Sequence, residues 1–198
     1  MLAAFIKAAH PRLAASVTLT EITDQVRLRK KAGAELETAA RTLVGKARGK
    51  ARLKAGEFVG IAVHEDMDAC PGPAYDTARK AVSAALSKAT GTCSSAYALA
   101  AAESEAWLLL FPEAFTLYRP SWKIPAKWQG RDSGKLRNPK EDLEGLLVHP
   151  RFMERDGPEI VAKALGQGLL ASPQGSNRSY EEFIADISDW TVSQPPKR

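Results

Sequence analysis

Apolar positions recur along this chain in two rhythms. Leu2, Phe5, Ile6, Ala9 and Leu13 fall at helical spacing with Pro11 near their end, which predicts a first helix over Leu2–Leu13. Val17-Thr18-Leu19-Thr20-Glu21-Ile22 alternates with period two and is rich in β-branched residues, the pattern of a strand. From Ala34 to Lys54 the helical rhythm returns. Leu36, Ala40, Leu43, Val44, Ala47 and Ala51 share one face, although Gly45 and Gly49 each weaken a helix by about 1 kcal/mol. Phe58-Val59-Gly60-Ile61-Ala62-Val63 is a nearly continuous apolar run of strand length, as a parallel strand covered on both faces requires. Pro71-Gly72-Pro73 marks a turn, and Ala74–Thr90 reads as a helix with Ala78, Ala81, Val82 and Leu86 on one face and Gly91 closing it. A second apolar run, Ala96–Ala102, leads into Glu103-Ser104-Glu105-Ala106-Trp107, with helix continuing through Leu108, Leu110 and Phe111.

Strand, helix, strand, helix with short links predicts an α/β fold, a mainly parallel sheet flanked by helices. Beyond Phe115 the texture changes. Tyr118–Asn138 is rich in Pro, Trp, Lys and Gly and reads as a long ordered loop. Short helices are expected near Pro139–Val148, Pro158–Leu165 and Tyr180–Trp190, and a loose tail from Ser193 to Arg198. The expected organisation is an α/β core over 1–117, a loop and helical extension of the same domain over 118–192, and a tail over 193–198.

Composition narrows the class. At 198 residues, 44% apolar and 26% charged, the chain has the make-up of one globular domain rather than of a disordered or fibrous protein. Cys70 and Cys93 are the two cysteines, too few for a disulfide scaffold or a cysteine-built zinc site. The longest strongly apolar stretch, Ala106–Phe111, is far short of the roughly 20 residues of a membrane span. The N-terminal Met1-Leu2-Ala3-Ala4-Phe5-Ile6-Lys7 has no basic region ahead of its apolar part. A soluble, cytoplasmic protein without a membrane partner is expected.

Charge is uneven. Arg27–Lys54 holds ten basic residues and two acidic ones, a local balance of +8, which leaves 18 basic and 21 acidic residues, or −3, elsewhere. On the helix expected there, Arg48, Lys50 and Arg52 flank the apolar face. Two readings stand: long basic side chains covering an amphipathic surface helix, or contacts to a phosphate backbone. Gly45–Lys50 is not a Walker loop, because the four-residue gap between glycines and the Ser/Thr after Lys50 are missing.

Two acidic clusters follow the two apolar runs, at the sheet edge where open α/β folds bind ligands. Asp66 and Asp68 are two apart, so an extended strand puts them on one face, and Glu103 and Glu105 repeat that spacing after the second run. Carboxylates converging from neighbouring strands repel one another unless a divalent cation sits among them, and Mg²⁺ or Mn²⁺ suits a few carboxylates with retained waters. The alternative is local: Asp68 as a helix cap, Glu103 and Glu105 as acids of a helix first turn.

Val59-Gly60-Ile61-Ala62-Val63-His64-Glu65-Asp66-Met67-Asp68 resembles the Asp-x-Asp strand of TOPRIM domains, the metal-binding module of topoisomerases, primases and OLD-type nucleases. More narrowly, the chain resembles a stand-alone bacterial TOPRIM-like family of unknown function. Glu105-Ala106-Trp107-Leu108, Asn138-Pro139-Lys140 and Asn177-Arg178-Ser179-Tyr180-Glu181-Glu182-Phe183 match that family's later motifs in order, over a stretch from the first helix to about Ile187. The resemblance implies a TOPRIM/Rossmann-like core with a helical C-terminal extension. It also implies Mg²⁺- or Mn²⁺-dependent hydrolysis of nucleic-acid phosphodiester bonds, of DNA before RNA, and an ATPase partner in anti-phage defence. Asp66, Asp68 and Glu105 would hold the metal, and Lys135 and Lys140, with Arg48, Lys50 and Arg52, would meet phosphate. TOPRIM domains open with a strand ending in a glutamate ahead of a helix like Leu2–Leu13. Here the sequence starts inside that helix, so either its start is set too late or the core lacks the strand, in which case Glu103 or Glu65 would take the glutamate's acid–base role. Two other functions use the same residues: a non-catalytic nucleic-acid-binding or regulatory subunit, and a Mg²⁺-dependent phosphatase or nucleotide hydrolase. Trp122, Trp128 and Tyr118, interleaved with Arg119, Lys123, Lys127 and Arg131, read either as a stacking platform for single strands or as an apolar anchor for the long loop.

Overall fold

Two strands of seven residues carry the architecture. β1 (Gly60–Asp66) and β2 (Ser94–Ala100) pair in parallel, with Gly60 opposite Ser94 and Asp66 opposite Ala100. A parallel pair needs a crossover, supplied by α3 (Pro73–Thr90), which starts with proline in its first turn and stops at Gly91 with φ 68°. The computed structural model describes residues 1–11, 16–23 and 26–190.

Strand alternation sorts the side chains into two layers. Ile61, Val63, Tyr97, Leu99 and Ala101 face one apolar cluster, closed by Leu28, by α2 (Gly33–Leu53) through Leu36, Ala40, Leu43 and Val44, and by Tyr75, Val82 and Leu86 of α3. Ala62, Ala96, Ala98 and Ala100 face the other cluster. That layer is built from α1 (Leu2–Ala9), α4 (Glu105–Leu108), α5 (Pro112–Tyr118), α6 (Pro139–Leu146), α7 (Gly157–Gly166) and α8 (Arg178–Ser188). Phe5 and Trp107, both fully buried, stand at its centre, with Trp107 stacked on Phe183 at 5.7 Å and Phe5 edge-on to Tyr180 at 5.3 Å. The small Ala side chains of β2 let these large rings approach the sheet.

The ladder is read from Ser94 N–H, which donates to Val59, and Met67 N–H, which donates to Ala100. Odd-numbered residues of β1 therefore pair with β2, and Gly60, Ala62, His64 and Asp66 turn their backbone groups outward. These find no hydrogen-bond partner among the described residues. The outer edge of β2 is covered instead by side chains: Arg79 and Trp190 donate to the Tyr97 and Ser95 carbonyls, and Ala101 N–H donates to Ser179 Oγ.

Several expectations need correction. Among the described residues the sheet has two strands, so the fold is α/β with a small parallel pair flanked by helices rather than a broad parallel sheet. Val17–Ile22 is not a strand: its alternation is real, but residues 17–23 take no regular structure and the segment is largely exposed. The helix boundaries otherwise move by a few residues, and the 118–138 loop is ordered around two 3₁₀ turns, Ala126–Trp128 and Ser133–Lys135. The first helix stops at Ala9, with His10 as its C-cap and Pro11 in a turn, rather than running on toward Leu13; Leu13 itself and the tail from Ser193 lie outside the described residues. No helix among the described residues is long and apolar enough to cross a membrane.

Candidate functional site

Asp66 ends β1 on the face that carries Ala62 and His64, the face of Trp107. Past the strands the two segments stay hydrogen-bonded, Asp68 N–H to Ala102 and Ala69 N–H to Ala101, but in crossed order, so the parallel register ends there. The chain then turns into α4 through Glu103 and Ser104. That turn lays Ser104 N–H on Asp66 Oδ1 at 3.0 Å. His64 Nε2 stands 3.4 Å from the same oxygen, its ring edge-on to Trp107 at 6.3 Å. Glu103 Oε2 accepts the N–H of Lys140 at 3.0 Å, at the start of α6, and Lys140 Nζ reaches Glu154 Oε2 at 3.0 Å.

Glu105 sits deepest, at 8% exposure, with Ser104 Oγ donating to its Oε2 at 3.5 Å. Burial pushes its carboxyl up to about 7, a hydrogen bond from its own backbone pulls the other way, and the charges of Asp66, Glu103 and Glu154 push it further up. Burial likewise raises Glu103, opposed by the Lys140 N–H and reinforced by Glu141 and Asp66. Lys140 is raised by its bond to Glu154. Asp66, Glu103, Glu105 and Glu154 thus form one electrostatic group at the carboxyl end of the sheet, with Lys140 as its counter-charge.

The remaining expected site residues lie elsewhere. Asp68 leaves the strand with φ 59°, a left-handed backbone that breaks the alternation, and its carboxylate, 70% exposed, pairs with Arg29 rather than lying beside Asp66. Glu65 is on the opposite face of β1, where Oε2 accepts Tyr97 Oη–H at 2.7 Å and Arg29 N–H at 3.1 Å, and Oε1 is buried without a partner. Lys135 is exposed and paired with Asp132 at 3.3 Å. Arg48 donates to the Thr90 carbonyl at 3.0 Å and lies over Phe58, Lys50 donates to the Glu21 carbonyl at 2.8 Å, and Arg52 is exposed. Thr90 and Phe58 mark the amino ends of the strands, about 20 Å along the sheet from the acidic group. Trp122 is buried and donates to the Pro150 carbonyl, Tyr118 donates to Asp156, and Arg119 lies over both rings. These residues anchor the loop rather than form an open platform.

The four sequence motifs nevertheless meet. Asp66 is held by Ser104, Glu103 by Lys140, and Trp107 Nε1–H donates at 2.9 Å to Ser179 Oγ, which in turn donates to Asn177 Oδ1 at 2.8 Å. Asn177 caps α8 by accepting Tyr180 N–H and ties it to Ser133. Glu154, Ser104 and His64 have no place in the sequence-based set. Glu154 stands in a 3₁₀ turn, Glu154–Asp156, without periodicity or motif to mark it; His64, two residues before Asp66 on a strand, carried the spacing that marks a shared face.

Hard carboxylate oxygens fit Mg²⁺, which is bound through one or two carboxylates and keeps several waters. No three His, Cys, Asp or Glu side chains among the described residues are grouped to hold a metal ion. Compared with models of protein families, with curated proteins and with solved structures, the chain matches none.

Proposed function

We propose that this chain is a divalent-metal-dependent nuclease, with Asp66 and Glu105 as the residues that hold Mg²⁺ or Mn²⁺ at the carboxyl end of the sheet. The observation that supports this reading is the buried Glu105 carboxyl, pushed up to about 7 beside three further carboxylates. A folded chain keeps such a costly arrangement where a cation relieves it. A bound metal supplies an activated water and neutralises charge developing on the phosphate. Glu103, held by the Lys140 N–H and raised by burial, is the group suited to hold or release a proton beside the reacting phosphate. Lys140 Nζ offers a point charge to a phosphate oxygen at the cost of its bond to Glu154.

The test is cleavage of supercoiled and single-stranded DNA, with RNA and mononucleotides alongside, in Mg²⁺, Mn²⁺ or EDTA. Metal-dependent cutting of polymers, lost in EDTA and reduced by roughly 100-fold or more in Asp66→Ala, is expected. Turnover of mononucleotides alone points to a phosphatase. A second reading, a non-catalytic binding or regulatory subunit, draws on the pairing of Asp68 with Arg29 and of Glu65 with Tyr97, which takes both acids out of the site. Nucleic-acid binding without metal-dependent cutting by a folded chain establishes it.

A further inference from the structure

We propose that the open edge of β1 is where two copies of this chain meet, paired antiparallel about a two-fold axis at Val63, so that the acidic end of each sheet lies against the basic end of the other. The metal-site reading has no part in this. Gly60, Ala62, His64 and Asp66 turn their backbone groups away from β2, and those groups have no partner among the described residues. Proteins blunt such an edge with lysine, proline, a bulge or a covering segment. β1 holds no lysine or proline, and its seven-residue ladder is unbroken. The alternating segment Val17–Ile22 makes no backbone bond to it. The far edge of the sheet, by contrast, is covered by Arg79, Trp190 and Ser179.

The edge is complementary to itself. Hydrogen bonds can pass only between the outward residues of each strand, so even-numbered positions must pair with even-numbered ones. The register that uses the whole strand sets Ala62 opposite the partner's His64 and Gly60 opposite the partner's Asp66. Val63 then faces the partner's Val63 on the axis, and Ile61 faces the partner's Glu65. No like charges stand opposite each other, which would weaken the pair, and the contact at its centre is between β-branched apolar side chains. Charge selects the occupant. α2 ends at Leu53 and a short link leads to Gly60, so Arg48, Lys50, Arg52 and Lys54 stand at the amino end of β1, with Glu57 as the acid of that link. Arg48 and Lys50 direct their hydrogen bonds to the Thr90 and Glu21 carbonyls, and no carboxylate pairs with Arg52 or Lys54 among the described residues. Asp66, with Glu103, Glu105 and Glu154 beyond it, closes the other end. Two-fold symmetry makes the match of acidic with basic end twice over. An unrelated extended peptide would fill the hydrogen bonds but would need both charges in the right order.

Sedimentation equilibrium of the full chain, with amide exchange read at the same concentrations, tests this. The mass is expected to climb with concentration from the 21.4 kDa of one chain to twice that value. Raising the ionic strength from about 0.05 to about 0.5 M should weaken association by about tenfold. The Ala62, His64 and Asp66 amides should slow by about tenfold or more on pairing, while those of Ile61, Val63 and Glu65 change little. Ala62→Pro removes an outward N–H that the single chain does not use, at a position where an edge strand accepts proline, and is expected to stay a folded monomer. If that variant does not fold, the exchange pattern of the wild type decides alone. A wild type that remains a single chain at millimolar concentration overturns the proposal. So does a dimer that survives Ala62→Pro or leaves the outward amides fast, because its interface lies elsewhere, and a dimer indifferent to salt contradicts the placement of the charged ends. Slow outward amides in a chain that stays monomeric overturn it as well, and mean that a segment of the same chain closes the edge.

Discussion

Glu105 shows how a single residue can cost the fold something and serve the site. Its carboxyl titrates near 7 in the folded chain against an ordinary 4.5. Between those values the folded state keeps a proton that the unfolded chain has already released. Stability therefore falls as pH rises from about 4.5 to 7 and levels off above. Glu105→Gln removes that fall, so the variant is expected to melt higher than wild type at pH 8 and close to it at pH 4.5. Mg²⁺ favours the ionised form, so it should raise the melting temperature of the wild type at pH 8 more than at pH 5.5, and that of Glu105→Gln at neither. Equal pH slopes for the two proteins in a thermal melt contradict this. None of it was legible in spacing alone: Glu103 and Glu105 stand two apart in sequence, but only the turn into α4 decides that Glu105 is buried and Glu103 half-exposed.

At the level of elements, the joints between segments carry the site. Ser179 on α8 satisfies two buried donors, Trp107 Nε1–H and Ala101 N–H, and donates to Asn177, so it ties α4, β2 and the cap of α8 together. Ser179→Ala leaves those groups unpaired, and a loss of about 2–4 kcal/mol in chemical denaturation is expected; a loss under 0.5 kcal/mol would show that water replaces the hydroxyl. The sheet makes a second prediction. In the dilute single chain, outward amides of Ala62, His64 and Asp66 should exchange with solvent much faster than the ladder amides of Ile61, Val63 and Glu65. Uniform protection along β1 would mean that something covers its edge. The strands, the crossover helix and the later helices were readable from period and turn chemistry. Val17–Ile22 was not, because alternation reports a capacity to pair and says nothing of whether a partner edge is within reach. Asp68 misled for a related reason: the two-residue rule holds only while the backbone stays extended.

Across the whole molecule, charge is separated. The basic end of α2 lies at the amino ends of the strands and the acidic group at their carboxyl ends, about 20 Å apart. At about 3.4 Å per nucleotide, a strand of roughly six or more spans both, whereas a mononucleotide cannot. Neutralising Arg48, Lys50 and Arg52 together should weaken binding of long oligonucleotides and flatten its salt dependence while leaving Mn²⁺ affinity unchanged; equal weakening for dinucleotides and long strands would place the contact elsewhere. The excess of positive charge over Arg27–Lys54 was visible in the sequence, but its distance from the acids follows from α2 running back along the sheet to the start of β1. All of these expectations depend on a cation binding between Asp66 and Glu105. Calorimetric titration of Mn²⁺ into the wild type, Asp66→Asn and Glu105→Gln, each shown to be folded, decides it. Saturable binding by the wild type, lost or weakened at least tenfold in both variants, is the expected result, and heats that are absent or identical in all three proteins contradict a metal site at this end of the sheet.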